Sequence, residues 1–402
     1  MRVVLAVLAL AVVICVPVYA QDKNAAIEEL KAKYEAKILE LQKQFEAELA
    51  AVAAGQPVEK PAPAKPKWYD NIIINGYFQA RYHAREYDAV PASVSPEFVA
   101  NPNLKAELDD FEMRRLYINA IAPFNSKTQA VVTWAGVGPN FRSGNALSSE
   151  TDWANIFVDY MPNKEWTFRI GQAPTWFGID TCESSSCRFT PERWAASEGV
   201  PEVGLRGLWF GGPWDRGVYA INDQRYKSPD KTGFRTSLSI TNGNFRSQDD
   251  DSHKDIAVDT TYFAKWGQIG AGWLDGQFAG DDRDAIGFNF RILPGAFCDD
   301  HLGFQGEWLD GRWDATGSGM AHDLDGFYLQ SSWHFDDHPG TAYLRYEEFD
   351  PNKDQNGDEF DALHIGYIYD LTKMDKITVE YSMGELGNYD HNDFILQYQR
   401  ML

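Results

Sequence analysis

From about Ile72 to the last residue, apolar and polar side chains alternate one by one, and a period of two fixes this stretch as extended strand. Ile72, Ile74, Gly76, Phe78, Ala80 and Tyr82 take one face; Asn75, Tyr77, Gln79, Arg81 and His83 take the other. The alternation recurs in 116–120, 166–170, 234–240, 256–262, 286–292, 327–333, 342–346, 377–381 and 394–398. There are about 16 such segments in all, and a closed bacterial barrel needs an even number. The polar faces carry Arg81, Arg115, Arg169, Arg235, Arg291 and Arg345, with Asn, Gln and Thr between them, while the opposite faces are aromatic or branched. A soluble sandwich hides its apolar face. A barrel in lipid turns that face outward and lines a wet lumen with the polar one. The expected fold is therefore an all-β, transmembrane, antiparallel up-and-down β-barrel, closed because lipid offers no partner to an open sheet edge.

The connections support this order. Short turns such as Gly211–Asp215 alternate with long acidic stretches at 248–251, 280–284, 335–338 and 350–361, and no helix candidate follows residue 67. Phe394, Leu396, Tyr398 and Leu402 put an apolar row in a terminal strand, interrupted by Arg400, as expected of an assembly signal.

The N-terminal part reads differently. Arg2, the apolar run Val3–Val18 and the end Val18-Tyr19-Ala20 predict a signal peptide over residues 1–20. Residues 21–54 are expected to form a periplasmic coiled-coil helix. Ile27, Leu30, Tyr34, Ile38, Leu41, Phe45, Leu49 and Val52 repeat with a period of eleven, which favours a straight or slightly right-handed supercoil. The alternative is a single amphipathic helix lying on the barrel or on lipid. Residues 55–67, with Pro57, Pro61, Pro63 and Pro66, form a semi-rigid linker, and 68–402 form the barrel. Export to an oxidising compartment makes Cys182 and Cys187 a candidate disulfide clip and leaves Cys298 without an assigned role.

A net charge of −22 excludes nucleic acid as a partner. No Gly-x-Ser-x-Gly occurs, and the serines near histidines lie in acidic loop sequence with nothing to orient them, so neither an enzyme nor a cofactor is expected. The candidate pore-lining residues are the six arginines together with Asp159, Glu307, Glu347 and Glu380. Two readings stay open: a throat that prefers anions, or arginines paired with wall carboxylates that stiffen the lumen. Arg114-Arg115 could contact a lumen anion or lipopolysaccharide phosphate, and reads more simply as a solvated pair at a strand end. Asn352–Asp358 has the oxygen spacing and glycine of a calcium loop, but Leu363 stands where Glu is required, so an acidic turn and no metal site is expected.

The segments Asp110–Asn119, Phe168–Pro174, Leu344–Pro351 and His364–Tyr367 resemble the phosphate-selective porin O and P family, and the likeness runs from about Ile72 to Leu402. The resemblance implies a 16-stranded trimeric pore in the bacterial outer membrane, narrowed by inward-folded loops, for passive diffusion of small hydrophilic solutes or inorganic ions. Its partners would be outer-membrane lipid, those solutes and two further copies of the chain. The loops here are acidic and hold no lysine cluster, so phosphate selectivity does not follow from the family name. The alternative function is a structural outer-membrane barrel tethered or docked through its periplasmic coiled coil.

Overall fold

The computed structural model describes residues 68–87, 107–137, 151–181, 183–200, 205–209, 213–245, 252–278, 281–296, 301–315, 320–387 and 389–402, with part of 31–46. The chain divides into two units, Met1–Pro66 and Lys67–Leu402. In the first, residues 31–33, 35–40, 42, 43 and 46 are helical and exposed. The signal peptide, most of the eleven-residue repeat, the linker, Cys182 and Cys298 lie outside the described residues.

The second unit is a closed antiparallel barrel of 16 strands. In chain order they are β1 (Ile73–Tyr87), β2 (Glu107–Asn125), β3 (Thr128–Val137), β4 (Thr151–Tyr160), β5 (Trp166–Pro174), β8 (Trp214–Asp223), β9 (Gly233–Thr241), β10 (Asp255–Ala264), β11 (Gly267–Phe278), β12 (Asp281–Ile292), β13 (Leu302–Trp313), β14 (His322–Phe335), β15 (Gly340–Asp350), β16 (Phe360–Asp370), β17 (Asp375–Leu386) and β18 (Tyr389–Met401). Each pairs with its sequence neighbour, and β1 closes the ring on β18 from Tyr77↔Met401 to Tyr87↔His391. A two-stranded ribbon, β6 (Gly199–Val200) and β7 (Leu205–Arg206), interrupts the meander between β5 and β8. Helical structure among the described residues of this unit is confined to single turns, one of them α1 (Ala195–Glu198).

The alternation has the expected sense. Ile170, Phe288, Leu329, Ile269 and Phe168 are exposed on the outer face. Gln79, Arg81, Thr378, Gln397 and Ser239 are buried on the inner one. Among the described residues no helix is long and apolar enough to cross a membrane.

One part of the inner face departs from the expected polar lumen. Ala257, Leu274, Ala285, Leu309, Trp313, Leu324, Phe349, Phe360, Ala362 and Leu386 point inward from β10 to β17. They form an apolar core with Phe177, Trp194, Ala195, Ala196, Leu205, Leu208 and Trp209, all from the segment between β5 and β8. The cause is burial: this long connection folds into the barrel, so the wall it covers must be apolar as a soluble core is. Removing a side chain the size of Leu from water contributes about 1.5–3 kcal/mol. A buried Arg283–Asp255 pair closes this core, with the guanidinium 4.7 Å from the Phe245 ring centre and 5.6 Å from that of Trp313.

Candidate pore constriction

The segment 175–213 leaves β5, crosses the lumen and returns to β8, with its polar groups fixed to wall residues on both sides. Its entry is anchored on β10 and β13. The Gly178 amide donates to Asp259 Oδ2 (3.2 Å), and the amides of Ile179 and Asp180 donate to Glu307 Oε1, which also accepts from the Tyr328 hydroxyl (3.1 Å). Gly178 has φ of +76°, and a Cβ there would collide with the Glu307 carboxylate, so this approach requires glycine. Farther on, Glu183 forms a two-pronged pair with Arg291 of β12 (2.9 and 3.1 Å).

The tip reaches the opposite wall. Gln79 of β1 donates to Ser185 O (3.2 Å); Gln399 of β18 and Lys376 of β17 donate to Ser186 O (3.0 and 2.9 Å). Arg345 of β15 donates to Thr190 Oγ1 (2.9 Å). Glu192 then takes three guanidiniums. Arg114 binds it through Nε and Nη2 (2.6 and 2.7 Å), Arg115 through Nη2 (2.9 Å), and Arg81 through Nη1. In the ring β2 and β12 stand diametrically opposite, so the anchors at Glu183 and Glu192 span the full width of the lumen.

Arg114 is inside because β2 is irregular. Gln79 pairs with Arg115 and Ala80 with Met113, which leaves Arg114 as the extra residue of a bulge. A bulge re-aims a side chain, and two consecutive arginines thereby face the lumen together. The expected solvated strand-end pair is thus corrected: both arginines are anchored on the loop.

All ten candidate residues lie on the inner face, and the arginines have acidic partners. Arg81 pairs with Glu112 and Glu192, Arg115 with Glu192, Arg169 with Asp159 (2.7 Å), Arg235 with Asp259 (3.8 Å), Arg291 with Glu183 and Arg345 with Glu347. Glu380 accepts from the Tyr343 hydroxyl (2.6 Å) and meets His364 (3.3 Å), which also faces Glu347 (3.4 Å). Cys187 carries a free, exposed thiol, and Cys182, its expected partner, is outside the described residues.

The electrostatics at the tip are lopsided. Burial alone would raise the Glu192 carboxyl, yet Arg114, Arg115 and Arg81 hold it well below the usual carboxylate range. Burial, then the neighbouring Arg193, pushes the Arg188 guanidinium down to about 10, and its Nε and Nη1 are buried with no hydrogen-bond partner.

The wall from β1 to β4 also carries an uncharged row. A polar ladder runs from Asn75 through Asn119 and Thr133 to Asn155, with links of 2.8–2.9 Å. Asp159 joins Gln129 to Arg169 beyond it. Among the described residues no three His, Cys, Asp or Glu side chains converge to hold a metal ion. Sequence alone did not single out Glu192, Glu183, Thr190 or Arg188. The available signal was composition: Trp176, Phe177, Trp194, Leu208 and Trp209 make this connection far less acidic and more apolar than the other long loops.

Solved structures share the architecture. An anion-selective porin from Comamonas acidovorans superposes with a TM-score of 0.54 at 12% identity, covering 83% of this chain and 99% of its own. A loop-deletion mutant of OmpT, an outer membrane protein of Vibrio cholerae, gives 0.52 at 11% identity, covering 83% and 100%. A mutant of the Rh. blastica porin gives 0.51 at 14% identity, covering 82% and 99%. At these identities the likeness is one of fold. No curated protein matches the chain. Residues 98–262, which hold β2 to β5, the inward segment and β8 to most of β10, match the family model described as phosphate-selective porin O and P.

Proposed function

We propose that this chain is an outer-membrane porin that passes small hydrophilic solutes and ions passively, through a throat that prefers anions. The observation that carries the reading is the charged segment pinned to opposite walls inside a closed barrel with an apolar exterior. It leaves the solute path along the inner face of β3 to β5, β8 and β9. Around the tip, Arg81, Arg114, Arg115, Arg188, Arg193 and Lys376 outnumber Glu112, Asp180, Glu192 and Glu198. A fixed surplus in a narrow, poorly screened space acts strongly on a passing ion. The acidic outer loops act over only about 8 Å at physiological salt. The neighbour from Comamonas acidovorans is itself described as anion-selective.

We further propose a homotrimer, and a periplasmic coiled coil over residues 21–54. Purified protein in planar bilayers under a potassium chloride gradient tests the main reading. Stepwise channels with a reversal potential on the chloride side are expected. Absence of steps would end the porin reading, and a reversal potential on the potassium side would end the anion preference.

A further inference from the structure

We infer that Glu192 is a built-in ligand: its carboxylate fills an oxyanion site made by Arg81, Arg114 and Arg115, a site that accepts a small free carboxylate once Glu192 is removed. This rests on the porin reading and deepens it.

The cradle belongs to the wall and its occupant to the loop. Arg81 and Arg115 come from regular positions of β1 and β2, and Arg114 is brought beside them by the bulge. Three guanidiniums converge, and among the described residues the wall sets Glu112 against them, through Arg81. Like charges gathered in a space of low dielectric repel strongly unless an anion sits between them. Here the anion is Glu192, which uses both oxygens: Oε1 takes Arg114 Nε (2.6 Å) and Arg81 Nη1, and Oε2 takes Arg114 Nη2 (2.7 Å) and Arg115 Nη2 (2.9 Å). The paired, planar contact from Arg114 is the geometry in which guanidinium recognises carboxylate.

Burial also separates host from guest. The side chains of Arg81, Arg115 and Arg114 are 1, 5 and 12% exposed, that of Glu192 32%. Much of the host is held without the guest. Arg81 keeps Glu112, and Arg115 keeps Gln79 Oε1 (3.1 Å) and Pro191 O (3.2 Å). Arg114 gives both of its hydrogen bonds to Glu192. Truncating Glu192 therefore leaves a cationic pocket of carboxylate size, open toward the lumen.

The test uses the full-length protein in planar bilayers, with formate and acetate as probes. In Glu192→Ala, millimolar formate or acetate is expected to reduce the chloride current saturably, while the wild-type current stays unchanged. Adding Arg114→Gln to Glu192→Ala abolishes that block. Glu192→Gln keeps the shape of the side chain and removes its charge. It raises the chloride-to-potassium permeability ratio about 25-fold, because one unit charge about 4 Å away in a water-like dielectric acts about fivefold on each ion and in opposite directions. Arg114→Gln alone shifts that ratio the other way. If wild-type channels open but neither variant changes in carboxylate sensitivity or permeability ratio, Glu192 is structural and this inference fails alone. If the wild-type protein opens no channels, the porin reading fails and takes the inference with it.

Discussion

Asp358 shows how a single side chain can be held in an unfavourable state at the edge of a membrane barrel. It sits in the connection between β15 and β16, fully buried, with neither carboxylate oxygen hydrogen-bonded to a partner. Burial, then the nearby Asp350 and Glu359, raises its pKa from 3.8 to about 6. The folded loop thus binds the proton more tightly than the unfolded chain does. The resulting stabilisation is complete below about pH 4 and is lost as pH rises through about 6. Amide exchange of residues 351–359, corrected for intrinsic rates, is expected to be faster at pH 7 than at pH 5, and Asp358→Asn should flatten that dependence. Equal protection at both values would show that the carboxylate is solvated.

At the scale of elements, the inward segment behaves as a small folded body inside the cylinder. α1 and the β6–β7 ribbon give it backbone order, and Trp194, Leu205, Leu208 and Trp209 give it a core shared with the wall. Trp209 is 2% exposed and meets the Phe177 ring at 6.2 Å. Trp209→Ala is expected to weaken this packing by about 3–5 kcal/mol, the usual cost of emptying a large aromatic site. The sixteen-strand pairing makes no hydrogen bond through Trp209, so the barrel should remain folded while the segment loosens. Single-channel records of the variant should show added current fluctuations, with the barrel still resistant to detergent denaturation. Quiet records at the wild-type conductance would mean that the polar anchors hold the segment without its core.

For the whole molecule, the decisive physical fact is that the two faces of one sheet are built differently. The outer face is apolar, as a sheet in lipid requires, while the inner face carries polar side chains and packs on a folded segment. Ile170, midway along β5, is 63% exposed on the outer face. Ile170→Lys there is expected to cost about 2–4 kcal/mol of folding into bilayers, the price of a cation at the midplane. Urea titration of folding into phosphatidylcholine vesicles measures it, and a loss below about 0.5 kcal/mol would place β5 away from the apolar slab.

Much of this was written in the order of the residues. Period-two alternation, with arginines on one face and aromatics on the other, determined the strands, their inward and outward sides, and the need to close, because side-chain direction in a strand depends only on local backbone geometry. The ten polar residues picked from that pattern all point inward for the same reason. What the sequence did not carry was any relation between distant segments. That Glu192 would meet Arg81, Arg114 and Arg115, that a bulge would turn Arg114 inward, and that part of the inner wall would be apolar were decided by the fold. Each depends on where a 39-residue connection comes to rest across a closed ring, and no local period encodes a contact between residues about 80 to 110 positions apart.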